Sequence, residues 1–185
     1  LLGRLSKLIK RDDIEIIIVD NGSSDDTENI LNKIIHNYKF CRVLRLPKNK
    51  GYGNGIKQGL LLCNSEYIGW THADLQTEPS DIVKGLKIIE DSNNNTYVKG
   101  LRKARPLFDR FFTISMSLFE TLFLNTLLWD INAQPNIFPI ELFKDYKNPP
   151  NDFSFDLYYL YIAKKNNYKI KRFDVEFNKR KYGIS

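Results

Sequence analysis

The densest grouping of ligand-type side chains in this sequence is His72-Ala73-Asp74-Leu75-Gln76, which follows the mostly apolar run at 67–71 (YIGWT). A carboxylate and a carboxamide at alternate positions after a buried strand present oxygen atoms in one direction. Hard oxygen ligands of that kind suit Mg²⁺ or Mn²⁺ held together with a substrate diphosphate. Asp74 fits a plainer role equally well, as the start of a turn that caps the helix opened by Pro79. Two other polar segments follow apolar runs in the same way. Asp20-Asn21-Gly22-Ser23-Ser24-Asp25-Asp26-Thr27 ends the β-branched run at 14–19, and the Gly, Asn and Lys residues of 47–55 end the run at 41–46.

Loops of this kind need strands to carry them and helices to follow. β-Branched and aromatic runs predict strands at 14–19, 41–46, 67–71, 97–100 and 169–177. Apolar residues at helical spacing predict helices at 1–11, 26–37, 56–63, 80–91 and 154–166. Strands and helices alternating in this way imply an α/β fold, a doubly wound, Rossmann-like and mostly parallel sheet flanked by helices, in one domain over 1–185. Such folds bind ligands at the carboxyl ends of their strands, where the three polar loops lie. The Phe- and Leu-rich stretch 107–129 also carries Asp109, Arg110 and Glu120. It reads either as helices lying along a membrane interface or as ordinary core-packing helices.

Composition narrows the class. Of 185 residues, 42% are hydrophobic and 27% charged, the balance of a folding globular chain, and the net charge of +6 favours anionic partners. Cys41 and Cys63 have no metal-binding or disulfide-framework spacing. No uncharged apolar run reaches bilayer-spanning length. Basic residues are scattered over all loops without a recognition-helix or RNA-stacking signature, so nucleic acid is not the expected partner. Gly51, Gly53 and Gly55 do not form the dinucleotide turn of a dehydrogenase.

The three loops together resemble family 2 glycosyltransferases. Residues 17–27 (IIVDNGSSDDT) are similar to that family's VDDGSxDxT segment, 49–55 (NKGYGNG) to its NxGxGxA loop, and 70–79 (WTHADLQTEP) to its DADLQxxP segment. In the C-terminal half, Gly100-Leu101-Arg102 with Arg105, residues 130–138 (DINAQPNIF) and 180–185 (RKYGIS) resemble elements of the dolichyl- and undecaprenyl-phosphate sugar transferases.

This resemblance implies a GT-A fold and an inverting hexosyl transfer from a nucleoside-diphosphate sugar to a polyprenyl phosphate, for cell-surface glycan or glycoconjugate synthesis. Transfer to a saccharide hydroxyl, or donor binding without catalysis, are the alternatives. Asp74 and Gln76 are the implied ligands of Mg²⁺ or Mn²⁺. Asp20, Asn21, Asn49, Gly51 and His72 are the implied donor contacts, Arg102, Arg105 and Arg180 contact phosphates, and Asp130 serves as base or orienter. Asp156 is expected to be exposed or to cap its helix. The implied setting is cytoplasmic, peripheral at the inner face of the membrane. The sequence departs from the family pattern in two places. His72 stands where relatives carry the first aspartate of a D-x-D pair, and the family's opening strand has no counterpart. Together with a first residue that is not methionine, the second departure leads us to expect that the natural protein continues N-terminally.

Overall fold

In the computed structural model, which describes residues 1–103, 107–146 and 148–177, the isoleucine-rich run after helix α1 (Leu2–Leu8) forms strand β1 (Ile16–Asp20). Helix α2 (Thr27–Ile34) and a short 3₁₀ turn return the chain to β2 (Cys41–Arg45). β2 pairs with β1 in parallel, from Ile16 opposite Cys41 to Asp20 opposite Arg45. The chain continues through α3 (Tyr52–Leu60), β3 (Tyr67–Trp70), α4 (Ser80–Glu90), β4 (Thr96–Lys103), α5 (Leu107–Leu124), β5 (Asn136–Pro139), α6 (Ile140–Asp145), α7 (Phe155–Lys165) and β6 (Lys169–Glu176).

The expected α/β architecture is present, with two differences. The strands form two ladders, a pair β1-β2 and a four-stranded sheet in the order β3-β5-β4-β6. β4 and β6 are parallel, whereas β5 runs antiparallel to both its neighbours. Antiparallel ladders leave every second residue pair without hydrogen bonds. Ile140 donates to the Glu66 carbonyl at 3.0 Å, so the adjacent pair Tyr67–Pro139 falls at an unbonded position, the one that a residue lacking an N–H requires. The expected helix pair at 107–129 is one helix, α5, and α3 begins at Tyr52, earlier than its glycines suggest.

Alternate strand residues face opposite layers. Ile68, Trp70, Tyr97 and Phe138 meet α3 and α7, with Phe155, Tyr159 and Ala163 buried among them. On the other face Val98 and Ile137 meet Ile89 of α4, and Leu2, Leu5 and Ile9 pack beside β1. The first layer is aromatic. Phe138 stacks between Tyr97, at 5.1 Å between ring centroids, and Tyr159, at 5.5 Å, and Trp70 meets it edge-on at 5.6 Å. α5 leaves Leu118, Phe119, Leu122 and Phe123 exposed, the two phenylalanines stacked on each other.

Phe138 is wholly buried at the centre of this stack. Phe138→Ala is expected to lower the unfolding free energy by about 3–5 kcal/mol. Denaturant titration checks this, and a loss below about 1 kcal/mol would remove the aromatic layer as the core.

Candidate active site

Three loops at the carboxyl ends of β1, β2 and β3 meet on one side of the molecule. Asp20 closes β1 and is buried. Its Oδ1 accepts the Ser23 amide at 2.8 Å and its Oδ2 is ion-paired with Arg45, the last residue of β2. Burial pushes the Asp20 carboxyl up, but the Ser23 bonds and the Arg45 charge outweigh it and hold the group below the usual carboxylate range. Asn21 then reaches into the second loop, donating to the Gly51 carbonyl at 3.0 Å and the Asn49 Oδ1 at 3.2 Å, while Asn49 accepts the Gly51 amide at 2.8 Å. Thus Asp20, Asn21, Asn49 and Gly51, the expected donor contacts, hold the two loops in register with each other.

Gly51 has φ 109°, and a Cβ on it would lie 2.3 Å from the Asn151 carbonyl oxygen. The second loop therefore packs against the segment before α7, and Asn54 N–H bonds to the same carbonyl at 3.1 Å. Tyr52, next in sequence, is the joint between the loops. Its ring stacks on exposed Phe153 at 5.1 Å and lies 5.7 Å from the His72 ring in the third loop. That third loop is closed by Thr71 and Thr77, 3.4 Å apart, and turns at Leu75 with φ 60°. Asp74 Oδ1 accepts the Gln76 amide at 3.1 Å.

Beneath Tyr52 lies a buried polar network that sequence reasoning did not find. Asp156, expected to be exposed or capping, is 2% exposed. Its Oδ2 accepts the Tyr52 hydroxyl at 2.8 Å, and its Oδ1 accepts Trp70 Nε1 at 3.2 Å and Asn136 Nδ2 at 3.1 Å. Gln134 Nε2 donates to the Tyr52 oxygen at 2.7 Å, leaving its own Oε1 buried without a protein partner. Burial and the Asp156 carboxylate push the Tyr52 phenol far up, so it stays protonated and donates. Deeper still, the ammonium of Lys99 contacts Asn136 Oδ1 at 2.6 Å and the Ala133 carbonyl at 2.7 Å. The only advance signal for this network was the concentration of Tyr, Trp and amide residues in the segments that bear the motifs.

Asp130 and Arg102 meet each other. Asp130, with φ 42°, accepts Arg102 Nε at 2.8 Å and Nη2 on Oδ1, and the Arg102 amide at 2.9 Å on Oδ2. Both side chains are nine-tenths or more buried, so the guanidinium fork, expected on a phosphate, is filled by a carboxylate. Arg105 and Arg180 lie outside the described residues. For a divalent cation, no group of three His, Cys, Asp or Glu side chains comes together among the described residues. Asp74 and Gln76 offer hard oxygens from one turn, which fits Mg²⁺ or Mn²⁺ taking its remaining positions from diphosphate and water.

A model of the family described as Glycosyl transferase family 2 matches residues 1–147. Dolichyl-phosphate beta-glucosyltransferase of Saccharomyces cerevisiae is 27% identical over 139 residues, covering 71% of this chain and 42% of that protein. The Homo sapiens protein of the same name is 36% identical over 95 residues, covering 49% and 29%. The chain thus spans less than half the length of these curated relatives. Among solved structures, glucosyl-3-phosphoglycerate synthase from Mycobacterium tuberculosis in complex with uridine diphosphate superposes with a TM-score of 0.75 at 15% identity, covering 99% of this chain and 66% of that one. Its complex with Mn²⁺, uridine-diphosphate-glucose and phosphoglyceric acid gives 0.71 at 14% identity, with the same coverage. The α/β, Rossmann-like GT-A fold is therefore the fold of this chain.

These structures correct the expected acceptor. Two of the solved structures of that synthase, each covering nearly the whole chain, hold phosphoglyceric acid, a small phosphorylated acid, in contrast to the polyprenyl phosphate expected here. Of the three arginines expected on phosphates, Arg102 is engaged by Asp130. Among the described residues no helix is long and apolar enough to cross a membrane.

The network carries a pH signature. Burial pulls the Lys99 ammonium down from 10.5 to about 7, against the raising effect of Asp156. The folded value lies below the unfolded one, so between pH 7 and 10.5 the unfolded chain binds more protons and stability rises with pH. Below that window both states are protonated and the contribution is flat. Denaturant unfolding at pH 7 and 9 should show the unsubstituted chain gaining stability relative to Lys99→Met. A constant difference between the two would place the Lys99 proton elsewhere.

Proposed function

The chain belongs to glycosyl transferase family 2, and from that premise we propose that it transfers a hexosyl group from a uridine-diphosphate sugar to a hydroxyl of a small phosphorylated acceptor. The single observation that carries this reading is the fixed junction of the three strand-end loops, tied by Asn21 to Gly51 and joined through Tyr52 to His72. Supporting it are the solved relatives with uridine-diphosphate-glucose, Mn²⁺ and phosphoglyceric acid or glycerol 3-phosphate.

In this reading the nucleoside lies across the loops after β1 and β2. Asp20 and Asn21 shape its seat, and the backbone at Asn49 and Gly51 lines it. Asp74 and Gln76 are the side chains that would hold Mg²⁺ or Mn²⁺, with His72 beside the diphosphate. When bound, the cation neutralises charge that develops on the leaving diphosphate. Asp130 acts as an orienter, fixing Arg102 and the β4 end. The acceptor oxygen attacks the anomeric carbon from the face opposite the diphosphate. The bond from that carbon to the diphosphate oxygen breaks, the nucleoside diphosphate leaves with the electron pair, and the hydroxyl proton passes to a base or to solvent. The loop junction contributes by holding donor and acceptor in line, an effect worth several kcal/mol of barrier, roughly 7 or more in favourable cases.

The test is release of uridine diphosphate by the full-length protein with Mn²⁺, uridine-diphosphate-glucose and a set of acceptors that includes phosphoglyceric acid, glycerol 3-phosphate and neutral saccharides. Turnover with a phosphorylated acceptor is expected, with kcat/KM falling by at least about 10²-fold in Asp74→Ala. Donor binding without turnover on any acceptor would mark a non-catalytic module, and an unchanged rate in Asp74→Ala would remove the cation site from this loop.

A further inference from the structure

Arg45 is the last residue of β2 and belongs to none of the three loop segments that carry the family resemblance. In the ladder it stands opposite Asp20, so its side chain emerges beside the first loop. There it makes three contacts at once. Nη1 is ion-paired with Asp20 Oδ2, Nη2 donates to the Ser23 carbonyl at 3.2 Å, and Nε lies 3.2 Å from Glu28 Oε2 in the first turn of α2. One guanidinium therefore ties the end of β1, the turn that follows it and the helix after that to the end of β2. A planar fork of five donors can bridge several acceptors in this way, and a compact ammonium cannot.

The carboxylate under this fork is engaged on both oxygens. Asp20 Oδ1 accepts the Ser23 amide at 2.8 Å, Oδ2 meets Arg45, and the side chain is 1% exposed. A group so enclosed acts on its loop. The turn that Arg45 holds also meets the second loop, where a Cβ on Gly22 would lie 2.6 Å from the Asn49 amide nitrogen. Displacing this turn would carry Asn21 with it, and with Asn21 the bonds to Asn49 and Gly51. Arg42, on the same strand, makes contacts of the same chemistry near the start of the ladder. It pairs with Glu15 at 2.8 Å and donates to the Leu62 carbonyl at 2.8 Å, and neither partner belongs to a loop of the site.

The geometry points to Arg45 as a positioning residue for the nucleoside-diphosphate donor, acting through Asp20 and the Ser23 carbonyl to fix the first loop against the second. This role rests on a uridine-diphosphate sugar being the donor, as proposed for the site. It also leaves a proton signature. Burial, the largest influence on Asp20, pushes its carboxyl up, and the Ser23 bonds together with the Arg45 charge pull it down. Without Arg45, burial is opposed by Ser23 alone. Glu28 and Asp25, the other carboxylates that Arg45 faces, then lose their counter-charge and add repulsion. The Asp20 carboxyl rises in consequence, and its ionised form is lost as pH falls through the raised value.

Calorimetric titration of the full-length protein with uridine diphosphate and Mn²⁺, between about pH 5 and pH 7, tests this role in Arg45→Met, Arg45→Lys and Arg42→Met. Arg45→Met is expected to weaken binding about tenfold or more, with a further loss toward the acid end that the unsubstituted protein does not show. Arg45→Lys restores the charge without the fork, so its pH profile should stay flat while its affinity remains several-fold lower. Arg42→Met should bind like the unsubstituted protein. At saturating uridine-diphosphate-glucose, KM should carry the change in both Arg45 variants and kcat should not. Binding by Arg45→Met within about twofold of the unsubstituted protein would overturn the assignment. Equal weakening in Arg42→Met would also overturn it, since the cause would then be general loosening of the β1–β2 ladder, as would an Arg45→Met profile parallel to the unsubstituted one. If Arg45→Met does not fold, Arg45→Lys decides, and unchanged affinity there is the overturning result. Absence of uridine diphosphate binding by the unsubstituted protein would remove the donor itself, and this role with it.

Discussion

A buried carboxylate cannot stand alone in a protein interior, and Asp156 is where this fold meets that constraint. Its two oxygens accept donors from α3, β3 and β5, the residues Tyr52, Trp70 and Asn136, while its own backbone starts α7. Four elements far apart in sequence are thereby fixed to one point. Lys99 sits one contact further on and offsets the negative charge through Asn136. The cost of breaking any one bond is the desolvation of whichever group is left over, so the network holds as a unit. What it holds is the ring of Tyr52, and through that ring the spacing between the second and third loops.

The upper part of the site is built by a different means. Asn21, Asn49 and Gly51 are short side chains and backbone, and they lock the loops by mutual hydrogen bonds near the surface. Such bonds contribute about 1 kcal/mol each, so the rim is adaptable where the floor is rigid. Under the proposed function, a donor with a flexible diphosphate would suit that combination, its ends held by a yielding rim above a rigid floor.

Much of this was legible in the residues. The strands before each loop were visible as β-branched and aromatic runs, and the three loop motifs do come together at the carboxyl ends of those strands. The misses at the site share one physical cause, which is long-range pairing. Asp156 near the start of a helix looks like a dipole-complementing or capping residue, and its partner Tyr52 lies more than half the chain away. Asp130 and Arg102 each looked available for a ligand, and only their meeting in space removes that. Propensity likewise delayed the helix until after Gly53 and Gly55, whereas α3 runs from Tyr52 through three glycines, and a Cβ at the third, Gly59, would come within 2.8 Å of Val19 Cγ2. Close contact between α3 and β1 demands the residue that weakens the helix. β5 was hidden because a four-residue strand ending in proline carries no period to read.

The division of the strands into two ladders has a mechanical meaning. No backbone hydrogen bonds link β1 and β2 to the four-stranded sheet among the described residues, so the halves are coupled by side chains and helix packing, where α3 touches β1, β3 and α7, where α1 leans on α4, and through the pairs of Arg4 with Glu78 and Arg11 with Glu90. Side-chain packing of that kind shears more readily than a ladder. The half that carries Asp20 is held to the half that carries Asp74 and Asp156 by packing and not by a ladder, so a molecule gripping both at once would act as a clamp, stiffening the cleft by its own binding.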